Sequence, residues 1–249
     1  MAGSQTEIEI RQLFHLPEFE EVLRLQQAIW GFADIELLPL RFLVVVSTVG
    51  GHVFGAYDGN MMVGFCFAIP GIKSGGRPYL HSHMLGVLPA YHNAGIGRSL
   101  KLRQRDDALQ RGIELIEWTF DPLELKNAFF NVERLGAIVR RYHENQYGIT
   151  FSPLHGGLPT DRCYAEWWIA SPRVQTVLSG NVPPAGQSCE MRIAYPADIV
   201  RIRAEDPRRA RQIQKENGEK FRRAFEQGLA VTRFLRSETQ GSYLLEPWQ

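Results

Sequence analysis

The sequence predicts an α+β fold, a twisted, mixed, mostly antiparallel sheet flanked by helices. Three observations carry this. Short strand-like segments recur from residue 7 onward, and Asp58-Gly59-Asn60 joins two of them with a strong hairpin signal. Helical stripes separate the strands, the first being Phe19, Val22, Leu23, Leu25, Ala28 and Ile29 after Pro17. At Val87 to Arg98 a strand leads through a glycine-containing loop into a helix.

In chain order, Ile8 and Ile10 alternate in a strand over Glu7 to Leu13, and Pro17 opens a helix to Trp30. Leu40 to Val49 is helix or buried strand, because the run Leu43 to Val46 fits either period. His52 to Tyr57 and Met61 to Ile69 form the hairpin, Pro70 to Pro78 reads as loop, and Tyr79 to Leu88 is the third strand. A helix from Gly95 to Gln110 stops at Gly112. Ile113 to Phe120 is a strand, and Leu123 to Leu135 is a helix ended by Gly136. Ala137 to His143 and Arg162 to Ala170 are strands on either side of a loop at Gly148 to Pro159, with Trp167 and Trp168 on opposite faces.

Ser179 to Ser188 carries Gly180, Asn181, Pro183, Pro184 and Gly186 and reads as a linker. It divides the chain into a core, 1–178, and an extension, 179–249. The extension contains a strand (Glu190 to Tyr195), a helix (Pro207 to Gln227) and a strand pair (Leu229 to Arg236, Ser242 to Leu245). Its helix has an apolar stripe of Ala210, Ile213, Phe221, Ala224 and Phe225, so the extension is expected to pack on the core or on a second subunit, as in a homodimer.

Composition narrows the function. With 249 residues, 44% of them apolar, the chain has enough for a sizeable core. The net charge of +1 argues against a dedicated nucleic-acid binder. The basic residues of the last helix, Arg208 to Arg223, interleave with Glu216, Glu219 and Glu226 as on a solvated face. Cys66, Cys163 and Cys189 have no CxxC spacing, which gives neither a disulfide framework nor a zinc ribbon. No basic segment precedes an apolar stretch near residue 1, and no apolar run approaches the roughly 18 residues of a membrane span. A cytoplasmic protein without a membrane partner is expected.

The loop Val87-Leu88-Pro89-Ala90-Tyr91-His92-Asn93-Ala94-Gly95-Ile96-Gly97-Arg98 has the chemistry of an anion site. A helix start offers unpaired N–H groups and the positive end of the helix dipole, and glycine lets a phosphate approach the backbone. A tight turn is the plain alternative. A dinucleotide fingerprint is disfavoured, because it needs a third glycine where Ser99 or Leu100 stands.

This segment resembles the acyl-CoA motif of the GNAT acetyltransferases, with His92 in place of the usual Arg or Gln. Leu135-Gly136 is similar to the Leu-Gly that ends the family's next helix, and Ala128 matches its small-residue position. The likeness spans roughly Glu7 to Ala170. Ser82-His83-Met84-Leu85, Asp121-Pro122-Leu123 and Pro159-Thr160-Asp161-Arg162 resemble a bacterial branch of predicted acetyltransferases. The resemblance implies a GNAT-like fold and an N-acyltransferase that moves an acetyl or short acyl group from CoA to an amine of a small molecule or amino acid. It implies acetyl-CoA as co-substrate, its pyrophosphate held by His92, Asn93, Ala94, Gly95, Ile96, Gly97 and Arg98. Backbone groups of Leu85 and Val87 are expected beside the pantetheine. Asn127 and Asn131, one helical turn apart, either bond cofactor or substrate or face solvent; Asn127 is assigned to the cofactor.

Attack on a thioester needs the free amine, so a base helps. His81 and His83 are two apart on the strand entering the loop, and strand alternation puts them on one face with Leu85 and Val87. The offset from Val87 is similar to that of the paired histidines of arylalkylamine N-acetyltransferases, which relay a proton from the amine. Each histidine is equally well read as a polar sheet residue with satisfied hydrogen bonds. As a metal site the pair lacks a third ligand, so no metal is expected. The family often has a tyrosine acid where this chain has Val132, so Tyr142 and Tyr147 are the candidate replacements; Glu117 is a further candidate base. The missing tyrosine also leaves open a module that binds acyl-CoA without turning it over.

Overall fold

The computed structural model describes residues 7–32, 34–148, 156–183 and 189–248. The chain divides into two units, Met1–Ile116 and Glu117–Gln249.

In the first unit four strands lie in chain order and pair antiparallel: β1 (Glu9–Gln12), β2 (His52–Asp58), β3 (Met61–Ile72) and β4 (Pro78–Val87). Helices α1 (Leu16–Trp30) and α2 (Leu40–Thr48) pack on one face, where Phe19, Val22, Leu25, Leu43 and Val46 meet Val53, Phe65 and Phe67. The ambiguous segment after Pro39 is therefore helix. Helix α3 (Ile96–Gln110) covers the other face, with Ile96 and Leu100 against Phe54, Val63 and Cys66. The two clusters alternate along β2 and β3 as the strand period requires. Glu18 fixes the start of α1, accepting the Phe14 and His15 backbone N–H groups at 2.9 and 3.0 Å.

One expected loop is partly strand. β3 continues through Pro70 and Gly71 to Ile72, paired with β4. β2 reaches only as far as Ala68, so beyond it β3 has an open side, and proline's missing N–H costs no ladder bond there.

Across the boundary between the units runs β5 (Leu115–Phe120). It is followed by α4 (Leu125–Phe129), whose continuation Phe130–Arg134 widens so that the Leu135 N–H bonds the Phe130 carbonyl at 3.1 Å. Then come β6 (Ile138–His143), β7 (Arg162–Trp168), α5 (Pro172–Leu178), β8 (Met191–Pro196), α6 (Ile199–Glu205), α7 (Pro207–Glu226), β9 (Leu229–Arg236) and β10 (Gln240–Pro247). The strand order here is β5-β7-β6-β9-β10-β8. β6 pairs antiparallel with β7 on one side and, at Val139 and Val231, with β9 on the other.

Helix α7 lies over β6, β8 and β9. It buries Ala210, Phe221 and Ala224, while Ile213 and Phe225 of the expected stripe are half-buried. Gln214 and Asn217 are buried too, each donating to a carbonyl, Pro159 and Ala194, at 2.8 Å. Buried amides with partners cost little, so the helix tolerates polar residues in its apolar face. Most of the expected loop before Pro159 and the second half of the expected linker, at 149–155 and 184–188, lie outside the described residues.

Candidate active site

β4 ends at Val87, and a turn at Pro89–Tyr91 carries the chain to α3. Asn93 and Gly95 have φ of 65° and 82°. Gly95 is the cap residue of α3, so the first turn of the helix meets no capping side chain. Gly97 is different in kind. A Cβ there would meet only Leu85 Cδ2, at 3.5 Å, an ordinary contact, and its φ is not positive. The fold therefore does not require glycine at 97, and the backbone at the helix start is open to an approaching anion. Two side chains pin the loop. The Tyr91 hydroxyl donates to Asp58 Oδ2 at 2.7 Å, and His92 Nε2 donates to the Val87 carbonyl at 2.9 Å. His92 thus acts through its ring, latching the loop to the end of the strand.

The strand before this loop is irregular at one point. Phe67 pairs with Met84 and Ala68 with Ser82, leaving His83 as an extra residue, a β-bulge. The bulge overturns one expectation. Leu85 and Val87 pack toward α3 with Ile96 and Leu100, whereas Met84 joins Phe67 in the cluster on the opposite face. The His83 ring lies 5.4 Å from that of Phe67, and the His81 ring 5.9 Å from that of His83. The histidines are together, but not on the face of Leu85 and Val87, because an inserted residue shifts the alternation by one. His83 is exposed to solvent, and partial desolvation on the sheet side pushes its imidazole below its ordinary pKa. Ser82 points the other way, under α3, where its hydroxyl accepts from Lys101.

In the second unit the remaining candidates sort by their partners. Tyr142 is buried, its hydroxyl donates to Asp161, its ring stacks on Phe221 at 5.5 Å, and its pKa is raised by burial. Gly218 leaves room for it, since a Cβ there would stand 2.6 Å from the hydroxyl. Tyr147 is 46% exposed, with its hydroxyl 2.9 Å from Thr119 Oγ1 and the Arg162 guanidinium over its ring. Glu117 is buried and accepts from Arg141 Nη2 at 2.6 Å. Asn127 is exposed, but Asn131 is buried and accepts from Trp118 Nε1 at 3.2 Å, so the two asparagines have different surroundings. Val132 is buried. Among the described residues no group of three or more His, Cys, Asp or Glu is placed to hold a metal ion, and no helix is long and apolar enough to cross a membrane.

Sequence reasoning missed the polar chain behind β4. Lys101, Gln104 and Asp107 recur on α3 at helical spacing. Three charged or polar residues on the side of the helix that also carries Ile96 and Leu100 were the available signal.

Residues 10–136 match the acetyltransferase (GNAT) family. No curated protein matches. Among solved structures, the chain resembles a protein of the GNAT family from Desulfovibrio desulfuricans (TM-score 0.53, 18% identity, 66% of this chain and 100% of that one). It also resembles YncA of Salmonella typhimurium with its cofactor acetyl-CoA (TM-score 0.53, 18% identity, 66% and 97%). A third is the ribosomal-protein-S18-alanine N-acetyltransferase of Escherichia coli (TM-score 0.52, 16% identity, 74% and 100%). At such identities these likenesses speak for the fold, and the family match covers half the chain. With its mixed sheet flanked by helices and its glycine loop at the head of α3, the chain belongs to the GNAT acetyltransferase family.

Proposed function

We propose that the protein transfers an acetyl or short acyl group from acyl-CoA, as co-substrate, to an amine of a small molecule or amino acid. The observation that carries this is the first turn of α3, where Gly97 is open although the fold does not demand a glycine there. Ile96, Gly97 and Arg98 would hold the pyrophosphate through their backbone N–H groups, with Gly95 setting the turn. Acyl-CoA, when bound, supplies the thioester carbonyl. His83, whose imidazole pKa is lowered by desolvation, takes the proton that the amine nitrogen loses as the C–N bond forms. The electron pair of the broken C–S bond leaves on sulfur. That sulfur gains its proton from water.

A second reading has one observation in its favour. Val132 is buried where the family often has its tyrosine acid, which fits a module that binds acyl-CoA without turnover. One experiment separates the two. The protein is incubated with acetyl-CoA and a panel of polyamines, arylamines, amino acids and peptides with free N-termini, and free thiol is measured. Thiol release that depends on one acceptor class is expected. CoA binding with no release on any acceptor would leave the binding module.

A further inference from the structure

Behind β4, on the face away from His83, a line of buried polar groups joins the strand to α3. Lys101 Nζ donates to Ser82 Oγ at 2.7 Å, and Ser82 Oγ donates to Gln104 Oε1 at 2.9 Å. Gln104 Nε2 donates to His52 Nε2 at 3.1 Å. His52 therefore carries its proton on Nδ1, which donates to Asp107 Oδ2 at 2.8 Å. The neutral ring fits burial, which lowers the His52 pKa. Every donor points the same way, from Lys101 toward Asp107, where Arg111 closes the line at 2.5 Å. Lys101, Ser82, Gln104 and His52 are all at most 3% exposed.

Such a line costs stability. A buried lysine sheds solvation, and this one has its pKa pushed down to about 7. Apolar residues of similar volume often replace buried charged groups at no loss. What the line does that an apolar core would not is fix direction. It holds Ser82, which immediately precedes the bulge residue His83, at a set position on α3. A bulge leaves its extra residue outside the ladder, so a side-chain hydrogen bond on the adjacent residue helps set where that extra residue aims. The helix that supplies Lys101 is also the helix whose first turn is the glycine loop.

We propose that Lys101, acting through Ser82, is a positioning residue that fixes the β4 bulge and with it the aim of the His83 imidazole. The catalytic consequence rests on the acyl-transfer reading above; the geometric one does not.

The test uses the full chain in three variants. Ser82→Val removes the hydroxyl, Ser82→Thr keeps it at the same volume, and Lys101→Met removes the ammonium. The His83 ring-proton resonance, assigned by its loss in His83→Gln, senses the ring current of Phe67 5.4 Å away. It should move in Ser82→Val and Lys101→Met and stay in Ser82→Thr. With the reactive acceptor, kcat should fall by about 10- to 100-fold in the first two while CoA affinity is kept, since displacements near 1 Å have effects of that order. An unmoved resonance in Ser82→Val or in Lys101→Met, or equal movement in Ser82→Thr and Ser82→Val, overturns the proposal. If the resonance moves as expected but the wild type acylates no amine, the positioning link stands and the acyl-transfer reading falls.

Discussion

His83 is set by its neighbours on both faces of β4: Phe67 beneath the ring, and the Ser82 anchor one residue back. Its lowered pKa gives a pH expectation with a definite sign. A base works when neutral, so turnover should rise with pH along a limb whose midpoint lies below the ordinary imidazole value of 6.5. His83→Gln should remove that limb and lower kcat by about 10²–10⁴, with CoA affinity unchanged. A variant with wild-type kcat on the true acceptor would put the base elsewhere. Tyr142 and Tyr147 should part company. Tyr142→Phe strips Asp161 of a buried donor and should lower stability by about 1–3 kcal/mol, read in a denaturant titration. Tyr147→Phe removes a hydroxyl whose hydrogen bond to Thr119 is solvent-exposed, and should leave stability near wild type. Equal destabilisation by both substitutions would contradict this division. The closeness of His81 and His83 was legible in the sequence. Their face was not, because alternation assumes one residue per step and the bulge adds one.

Helix α3 joins the glycine loop to the polar line behind β4, and its first turn gives a test of the proposed CoA binding. Saturating CoA at about 100 times its Kd should stabilise the folded protein by about 2.7 kcal/mol through mass action, visible as a rise in Tm. Gly97→Val should fold, since the nearest atom to its Cβ is Leu85 Cδ2 at 3.5 Å, but should lose most of that rise. A folded variant with an undiminished CoA-dependent rise would refute the loop assignment. Long elements were the easiest to read in advance, and their signals were local: a proline near the start of α1, the Asp58-Gly59-Asn60 turn, Gly112 after α3. Helices α5 and α6 were not read. Seven residues give too little of a 3.6-residue period to stand out. The start of α5 was nonetheless written in Ser171-Pro172, where the Ser171 hydroxyl accepts the Val174 N–H at 3.3 Å. The end of β3 was misjudged because proline marks a break only where its missing N–H has a ladder to disturb.

For the whole molecule, the segment after Ser179 is the main departure from the part that matches the family, residues 10–136. In the second unit it contributes β8, β9 and β10 and the helix that buries Phe221 beside Tyr142 and Tyr243. A chain cut after Ser179 should be insoluble or impaired in assembly, because it uncovers the side of β6 that pairs with β9 and the surface under α7. A soluble truncation of unchanged oligomeric state and full activity would show the segment to be dispensable. The β6–β9 pairing also sets an order of events during synthesis. The strands of the first unit meet near neighbours in the chain, so that unit can close while translation continues. β6 must wait for Val231 to leave the ribosome before its second side is paired, and until then it is a surface for chaperones to hold.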